Sequence, residues 1–483
     1  MVLLPESSKS TPQVHPDSNL LLTLEPYTAT STLLEFARKD AVGAVMRSCV
    51  RILGSWTRLA WSSASWTLVV CLLLVRDETS ESQDAKASSC LSREDHALLS
   101  SLPLDGSVTF SNTSSAASDF GLIHFALPAA IVYPKSVRDV QVAVSAVASS
   151  PGLTLAARGR GHSVHGQAQA LNGVVIEMTS LKGIRVAPHG EPGFGQPFVD
   201  AAGGELWIDV LKATLKEGLA PRSWTDYLYL SIGGTLSNAG VGGQTFLVGP
   251  EISNVLQLDV VTGLGHSVMC SQTKNADLFH GVLGGLGQFG IITSARIVLE
   301  PAHEKVRWVR AMYTDFATFT RDQEMLISQP PGLAFDYIEG FVVLKNEDFN
   351  NGWNSVPFDG QTIDPSMIPD EGGSVLYYIE LVKKFNWNDM GTLNQTVEKM
   401  LAPLRFIPTL IFTTDVPYEK FLNRLHDVEV SLSSQGLWDV PHPWLNLFVP
   451  RSSITSFDAL IFKHMIKGDF SGPILIYPLK RER

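Results

Sequence analysis

Cysteine is scarce in this chain. Cys49, Cys71, Cys90 and Cys270 are its four cysteines, too few and too scattered for a disulfide framework or a cysteine-based zinc site. Cations are also in deficit: 37 Lys and Arg face 48 Asp and Glu, a formal net charge of −11. That balance excludes a broad nucleic-acid-binding surface, because phosphate contacts need dense positive charge. Internal repeats and low-complexity tracts are missing, and with 18% charged and 45% hydrophobic residues the composition is globular rather than disordered. The 483 residues suffice for two or three domains and a large core. A run long enough to cross a membrane is missing as well. The most apolar stretch, WTLVVCLLLV at 66–75, falls short of the roughly 20 residues a spanning helix needs.

That stretch follows Arg47, Arg51 and Arg58 and ends at Arg76-Asp77-Glu78, the layout of a signal-peptide core behind a basic flank. Counting back through LAWSSAS at 59–65 lengthens it, which keeps an uncleaved signal anchor as an alternative. A buried helix is the plainer reading. Met46 would be a more ordinary start than Met1 for such a signal, so residues 1–45 are expected to be an unstructured extension and 46–89 a targeting segment with its linker. The sequons Asn112-Thr113-Ser114 and Asn394-Gln395-Thr396 fit a secretory route.

From about Leu127 the pattern becomes regular. Val137, Val140, Val144 and Val147 share one helical face after Pro134, and GVVIEM at 173–178 reads as a β-branched strand. The stretch from Phe198 gives strand, turn and an amphipathic helix ending at Gly218. Helices and strands alternate in this way to Pro301, which predicts an α+β domain over 90–303. After 304 aromatic residues increase and irregular pieces separate the regular ones, so a second domain is expected over 304–483.

Three glycine-rich loops carry the chemistry. In Arg158-Gly159-Arg160-Gly161-His162-Ser163, glycines let backbone N–H groups approach an anion, and the arginines add charge. A histidine at such a tip reaches a bound ring, and its neutral imidazole is a nucleophile. A structural turn is the plainer reading, and metal ligation by His162 and His165 is disfavoured because no third ligand lies nearby. The second loop, 233–244, is built of small residues and suits a flat or phosphorylated ligand. The third contains a literal G-x-G-x-x-G at 285–290, but a helix-like segment precedes it and a strand-like one follows. A dinucleotide fold needs the reverse order, and position 310 is Arg rather than an acid, so that reading fails.

The strings RGRGHS, PRSWTDYLYLSIGGTLSNAG, GPEISNVLQLDVVTG, NADLFHGVLGGLGQFGIITSARI and VPHPWLNLFVPRS, followed by GPILIYPL, resemble the plant cytokinin dehydrogenases over about residues 90–483. The resemblance implies the vanillyl-alcohol-oxidase type of flavoprotein fold: a two-part FAD-binding domain of the PCMH type with an α+β substrate-binding cap. It implies FAD attached covalently through His162 to the flavin 8α-methyl, a bond expected to be single because no cysteine lies between 163 and 269. The implied cofactor contacts are Ala157, Arg158, Gly159, Arg160, Gly161, Ser163, Gln167, Asp226, Ser231, Ser237, Val241 and Ile292.

Asp226 and Glu339 are the implied catalytic pair. Alone, Asp226 would be a turn residue or a cap, and Glu339 a surface acid. The resemblance makes Asp226 the base that hydrogen-bonds the side-chain amine of an N6-substituted adenine, such as isopentenyladenine or zeatin, while hydride passes to flavin N5. The imine formed hydrolyses to adenine and an aldehyde. Glu339 is expected at the purine's far edge, with Leu425 and Trp444 as pocket walls. Implied further are a quinone-type acceptor or oxygen, a monomer, no metal, no nucleic acid, and a secretory destination: apoplast, vacuole or endoplasmic reticulum. The family continues past its YPL segment, so a C-terminal wall of the flavin site is expected to be missing after Leu479 and activity to be impaired. Another oxidase on the same fold is the alternative.

Overall fold

A computed structural model of the chain describes residues 2–4, 91–192, 195–345, 365–369, 373–465 and 473–481, all within one compact unit of residues 1–7 and 87–483. The targeting segment lies outside the described residues. Among those residues, no helix is long and apolar enough to cross a membrane.

Three sheets build the unit. The first orders Ser107–Thr109, Ala130–Tyr133, Val174–Glu177 and Leu155–Arg158, with the last three parallel. Helix Val137–Ala148 covers it, burying Val140, Val144 and Val147 against Val132, Val174 and Ile176, as the valine spacing predicts. A capping box with Ser136 starts that helix. Burial would raise the pKa of Asp139, but amide hydrogen bonds led by those of Lys135, Asp105 and Gly106 outweigh it and hold the pKa low. Leu155–Arg158 is an edge strand whose carboxyl end feeds the first glycine-rich loop.

The second sheet is antiparallel: Ser267–Ser271, Val255–Val261, Ile291–Pro301, Phe198–Ala202 and Ile184–Ala187, with Leu219–Pro221 paired onto the long strand. Helix Trp207–Leu215 packs beneath it, and Gly218, at φ +67°, closes the turn into Leu219. The second sheet's last strand ends at Pro301 and the third sheet's first begins at Lys305, either side of the expected 303/304 boundary.

The third sheet orders Ile411–Pro417, Lys305–Tyr313, Val375–Phe385, Tyr337–Leu344 and Ile474–Pro478, all antiparallel, then Val2–Leu4 and Phe448–Pro450. Its central strands, Tyr337–Leu344 and Val375–Phe385, are buried on both faces and read as largely apolar runs. Trp308, Met312, Tyr337, Phe341 and Tyr378 face a core shared with Trp224, Ile232, Leu258 and Ile292. Val309, Ala311, Ile338, Val342 and Tyr377 face the opposite core under helix Phe316–Ser328. Each fully buried side chain of this size contributes about 1.5–3 kcal/mol. Because side chains alternate along a strand, Glu339 points the same way as Tyr337, toward the first core. A carboxylate is thereby carried to where the third sheet meets the second.

Candidate active site

The three glycine-rich loops converge. A Cβ on Gly159 would lie 1.9 Å from Ser231 Oγ, and one on Gly203 would lie 2.0 Å from the Ile292 carbonyl oxygen. Gly233 faces the same Gly203 and Ile292 carbonyls. The third loop is tied to the second by amides of Gly284 and Leu286, which donate to the carbonyls of Leu236 and Ser237 at 2.9 and 2.8 Å. Gly203 and Ile292, 89 positions apart, and Gly159 and Ser231, 72 apart, thus approach more closely than side chains permit, and only glycine satisfies those contacts.

His162 sits on the first loop between aromatic rings. Phe120 stacks on it at 3.8 Å between centroids, and His442 stacks on the other face of Phe120 at 3.9 Å. Tyr227 lies 5.1 Å away and Trp444 6.2 Å away, edge-on. Burial, with His442 nearby, pushes the His162 pKa down to about 4. The imidazole is therefore neutral at physiological pH and keeps a nucleophilic lone pair. The loop is held from below by the Asp119 carboxylate, which accepts from Ser163 Oγ at 2.9 Å and from the Gly166 amide at 2.7 Å. Arg158 Nη1 donates to the Ser118 carbonyl at 2.9 Å.

Beside Tyr227, Asp226 enters a second cluster. Tyr337 OH lies 2.6 Å from Asp226 Oδ1 and 2.8 Å from Glu339 Oε2. Arg424 Nη2 donates to Tyr337 OH at 2.7 Å and to Asp226 Oδ1 at 3.0 Å. Glu339 is 0% exposed, Arg424 2% and Tyr337 5%. One phenol hydrogen cannot serve two carboxylates, so the second short contact needs a proton on one of the two acids. Burial pushes both carboxyl pKa values up, and Asp226 raises that of Glu339 further. Glu339 faces Glu380 across the neighbouring strand, and Glu380 accepts from Arg310 Nε at 2.8 Å and from Trp308 Nε1 at 3.1 Å. A buried row of Arg310, Glu380 and Glu339 therefore crosses three strands on one face.

The residues fit a flavin dinucleotide. Loops 157–167, 231–244 and 284–290 contain no Asp or Glu, and Ala157, Arg160, Gly234 and Asn238 are exposed along them. Their donor chemistry is that of an anion cradle, opening beside the neutral His162.

The structure brings Gly159, Ser231 and Ile292 together, and it sets Ser237, whose Oγ donates to the Gly233 carbonyl at 2.7 Å, on the same loop system. Gln167 turns back onto its own loop, accepting from the His165 amide at 2.9 Å. Val241 is half-buried on the second loop, and Leu425, packed on the core, follows Arg424. Trp444 is half-exposed and packs edge-on to Phe120 on the His162 side. Glu339 shares a single phenol with Asp226, because its strand alternation aims it inward. Sequence reasoning missed Phe120, Tyr337, Arg424 and His442. Tyr337 was accessible from its two-residue spacing to Glu339. Among the described residues, no group of three metal-ligating side chains assembles.

Comparison with known proteins gives this arrangement its context. The family description "Cytokinin dehydrogenase 1, FAD and cytokinin binding" matches residues 303–483, and "FAD binding domain" matches residues 128–271. Cytokinin dehydrogenase 9 of Oryza sativa subsp. japonica is 49% identical over 80% of this chain and 73% of its own length. Cytokinin dehydrogenase 5 of Arabidopsis thaliana is 49% identical over 80% of this chain and 72% of its own length. Among solved structures, 6-hydroxy-D-nicotine oxidase from Arthrobacter nicotinovorans superposes with a TM-score of 0.50 at 20% identity, covering 68% of this chain and 65% of that one. A chitooligosaccharide oxidase does so with a TM-score of 0.50 at 17% identity, covering 68% of this chain and 62% of that one. These two share the fold alone. Matched over more than two thirds of its curated relatives at about half identity, the chain belongs to the cytokinin dehydrogenases.

Proposed function

We propose that the chain oxidises the side-chain amine of N6-substituted adenines and so degrades cytokinins. The observation that carries this reading is the buried Asp226 carboxylate, set beside a neutral histidine on a glycine-rich anion cradle. Bound FAD supplies the acceptor for the hydride and its two electrons. The protein's own residues do the rest. Asp226 takes the amine N–H proton as the adjacent C–H bond gives up its hydride, so that a C=N bond forms; water then cleaves the imine to adenine and an aldehyde. Burial of the cluster strengthens this proton transfer by excluding competing water. The loops at 157–167, 231–244 and 284–290 would hold the dinucleotide, and His162 its isoalloxazine covalently, as the neutral imidazole favours.

The acceptor is a quinone-type oxidant or oxygen, the working form a monomer, and the route secretory, ending in the apoplast, vacuole or endoplasmic reticulum. Both sequon asparagines, Asn112 and Asn394, are exposed, which supports glycosylation on that route. One experiment tests the cofactor reading: acid precipitation of the purified yellow protein. Colour is expected in the pellet of the unmutated chain and in the supernatant of His162→Ala. Colour wholly in the supernatant of the unmutated chain refutes the covalent bond. Isopentenyladenine left unconsumed by flavin-replete protein with a quinone acceptor refutes the activity.

A further inference from the structure

We propose that Arg424 is the positioning residue that makes Asp226, and not Glu339, the charged member of the acid pair. The inference rests on the reading of Asp226 as the base. Neither composition nor motif points to Arg424; it opens the helix Arg424–Ser434, directly after the turn that follows helix Tyr418–Leu422.

The argument is one of hydrogens and distances. Nη2 of a guanidinium carries two hydrogens, and three oxygens surround it here. Tyr337 OH is at 2.7 Å, Asp226 Oδ1 at 3.0 Å and Glu339 Oε2 at 3.6 Å. The third separation is beyond hydrogen-bond range. Both hydrogens are therefore spent on the phenol and on Asp226, and Glu339 receives none. A charge-assisted bond favours the ionised form of its acceptor, so the negative charge settles on Asp226.

The groups facing the pair act in the same sense. Asp226 is faced by Arg424, Tyr337, Glu339 and, further off, Glu380. Glu339 is faced by Asp226, Arg424, Glu380 and Tyr337. Glu339 thus lies between two acids and has no direct hydrogen bond to the arginine. Carrying the proton on Oε2, it donates to Tyr337 OH and frees the phenol hydrogen for Asp226. Its Oε1 is buried with no partner among the described residues, which a neutral carbonyl oxygen tolerates better than a charged one. Arg424 has little freedom to choose otherwise. Its Nη1 donates to the Phe421 carbonyl at 3.2 Å, and its guanidinium lies 4.4 Å from the Phe421 ring centroid and 5.2 Å from that of Tyr337.

The test uses flavin-loaded Arg424→Met, Arg424→Lys and Tyr337→Phe, with the pH dependence of kcat/KM for isopentenyladenine as readout. Activity falls on the acid side as Asp226 becomes protonated. Without the guanidinium, that limb should move to higher pH by about one unit or more, and Arg424→Lys should lie between Arg424→Met and the unmutated chain. A purely structural arginine would lower kcat or flavin content without moving the limb. Independently, the infrared difference between the unmutated chain and Glu339→Gln should show loss of a protonated-carboxyl carbonyl band. An unshifted limb in both Arg424 variants, or loss of ionised carboxylate bands in Glu339→Gln, overturns the proposal. If Arg424→Met does not fold, Arg424→Lys and the infrared measurement decide. Full turnover in Asp226→Asn would instead refute Asp226 as the base, so the two failures are distinguishable.

Discussion

Glu251 offers the sharpest test of how the Asp226 loop is held. It starts the short 3-10 turn Glu251–Asn254 and is 1% exposed. Its Oε1 accepts from the Thr225 amide at 2.9 Å, the residue next to Asp226, while Oε2 is buried with no partner among the described residues. A Cβ at Gly240 would meet this carboxyl at 2.3 Å, so the acid fills its site. Burial pushes its pKa from 4.5 up to about 8. The folded state therefore binds the proton more tightly than the unfolded chain. The resulting stabilisation is complete below about 4.5, declines as pH rises, and is lost once pH passes about 8. Between those limits the slope for one proton is about 1.4 kcal/mol per pH unit.

Glu251→Gln keeps the acceptor for Thr225 and does not titrate. Every other titrating group is common to both proteins and cancels in the difference. The variant's stability relative to the unmutated chain should therefore rise by about 2.3 kcal/mol between pH 6 and pH 8, the slope halving as Glu251 becomes half-titrated near 8, and then flatten. Denaturation midpoints at several pH values, followed by tryptophan fluorescence, measure it. Parallel curves for the two proteins across that range would refute a buried, protonated Glu251.

Asp226→Asn keeps the side chain's size and removes its charge; turnover should drop roughly 10²–10⁴-fold with flavin still bound, as measured by steady-state kinetics against flavin absorbance. Glu339→Gln, replacing a protonated acid by a neutral isostere, should lose far less than Asp226→Asn, and an equal loss would contradict the charge assignment. Arg310→Met strands Glu380 in the core and should destabilise the fold by about 3–5 kcal/mol. Adding Glu380→Leu should recover most of that loss in the same denaturation assay, and a double variant as unstable as the single would show that the pair is not the cause.

The architecture was legible where pattern and energetics coincide. Valines at 137, 140, 144 and 147 announced a helix because one face alone is buried. The loops bearing Gly159, Ser231 and Gly284 stood out because close backbone approach demands glycine in runs. What stayed hidden depends on tertiary placement. Phe120 and His442 are 322 positions apart and meet only because the stretch after Gly436 returns to the His162 loop. Arg424 looks like any helix-start cation until burial removes water as its partner. Glu339 alone reads as a surface acid, because a sequence cannot say which face of a strand meets which core; it is buried.

The catalytic cluster is assembled from segments that do not fold as one local unit. Asp226 comes from the turn after Leu219–Pro221, Tyr337 and Glu339 from the middle of the third sheet, and Arg424 from the helix beyond its edge strand. What holds them in register is the shared core in which Trp224, Trp308, Phe421 and Leu422 meet. A base built this way, its side chain 10% exposed, is largely withdrawn from water, which strengthens its bonds to Arg424 and Tyr337. It also inherits the stability of the contact between the sheets, since an opening there hydrates all four groups together. The Arg310–Glu380 pair lies on the same strand face, in the same register row as Glu339. It neutralises a third carboxylate that would otherwise repel both acids across a distance where buried charges are weakly screened. Charge balance at the base is thus set two strands away from it, which is why a buried arginine with no place in the chemistry should still be required for as long as Glu380 stands beside it.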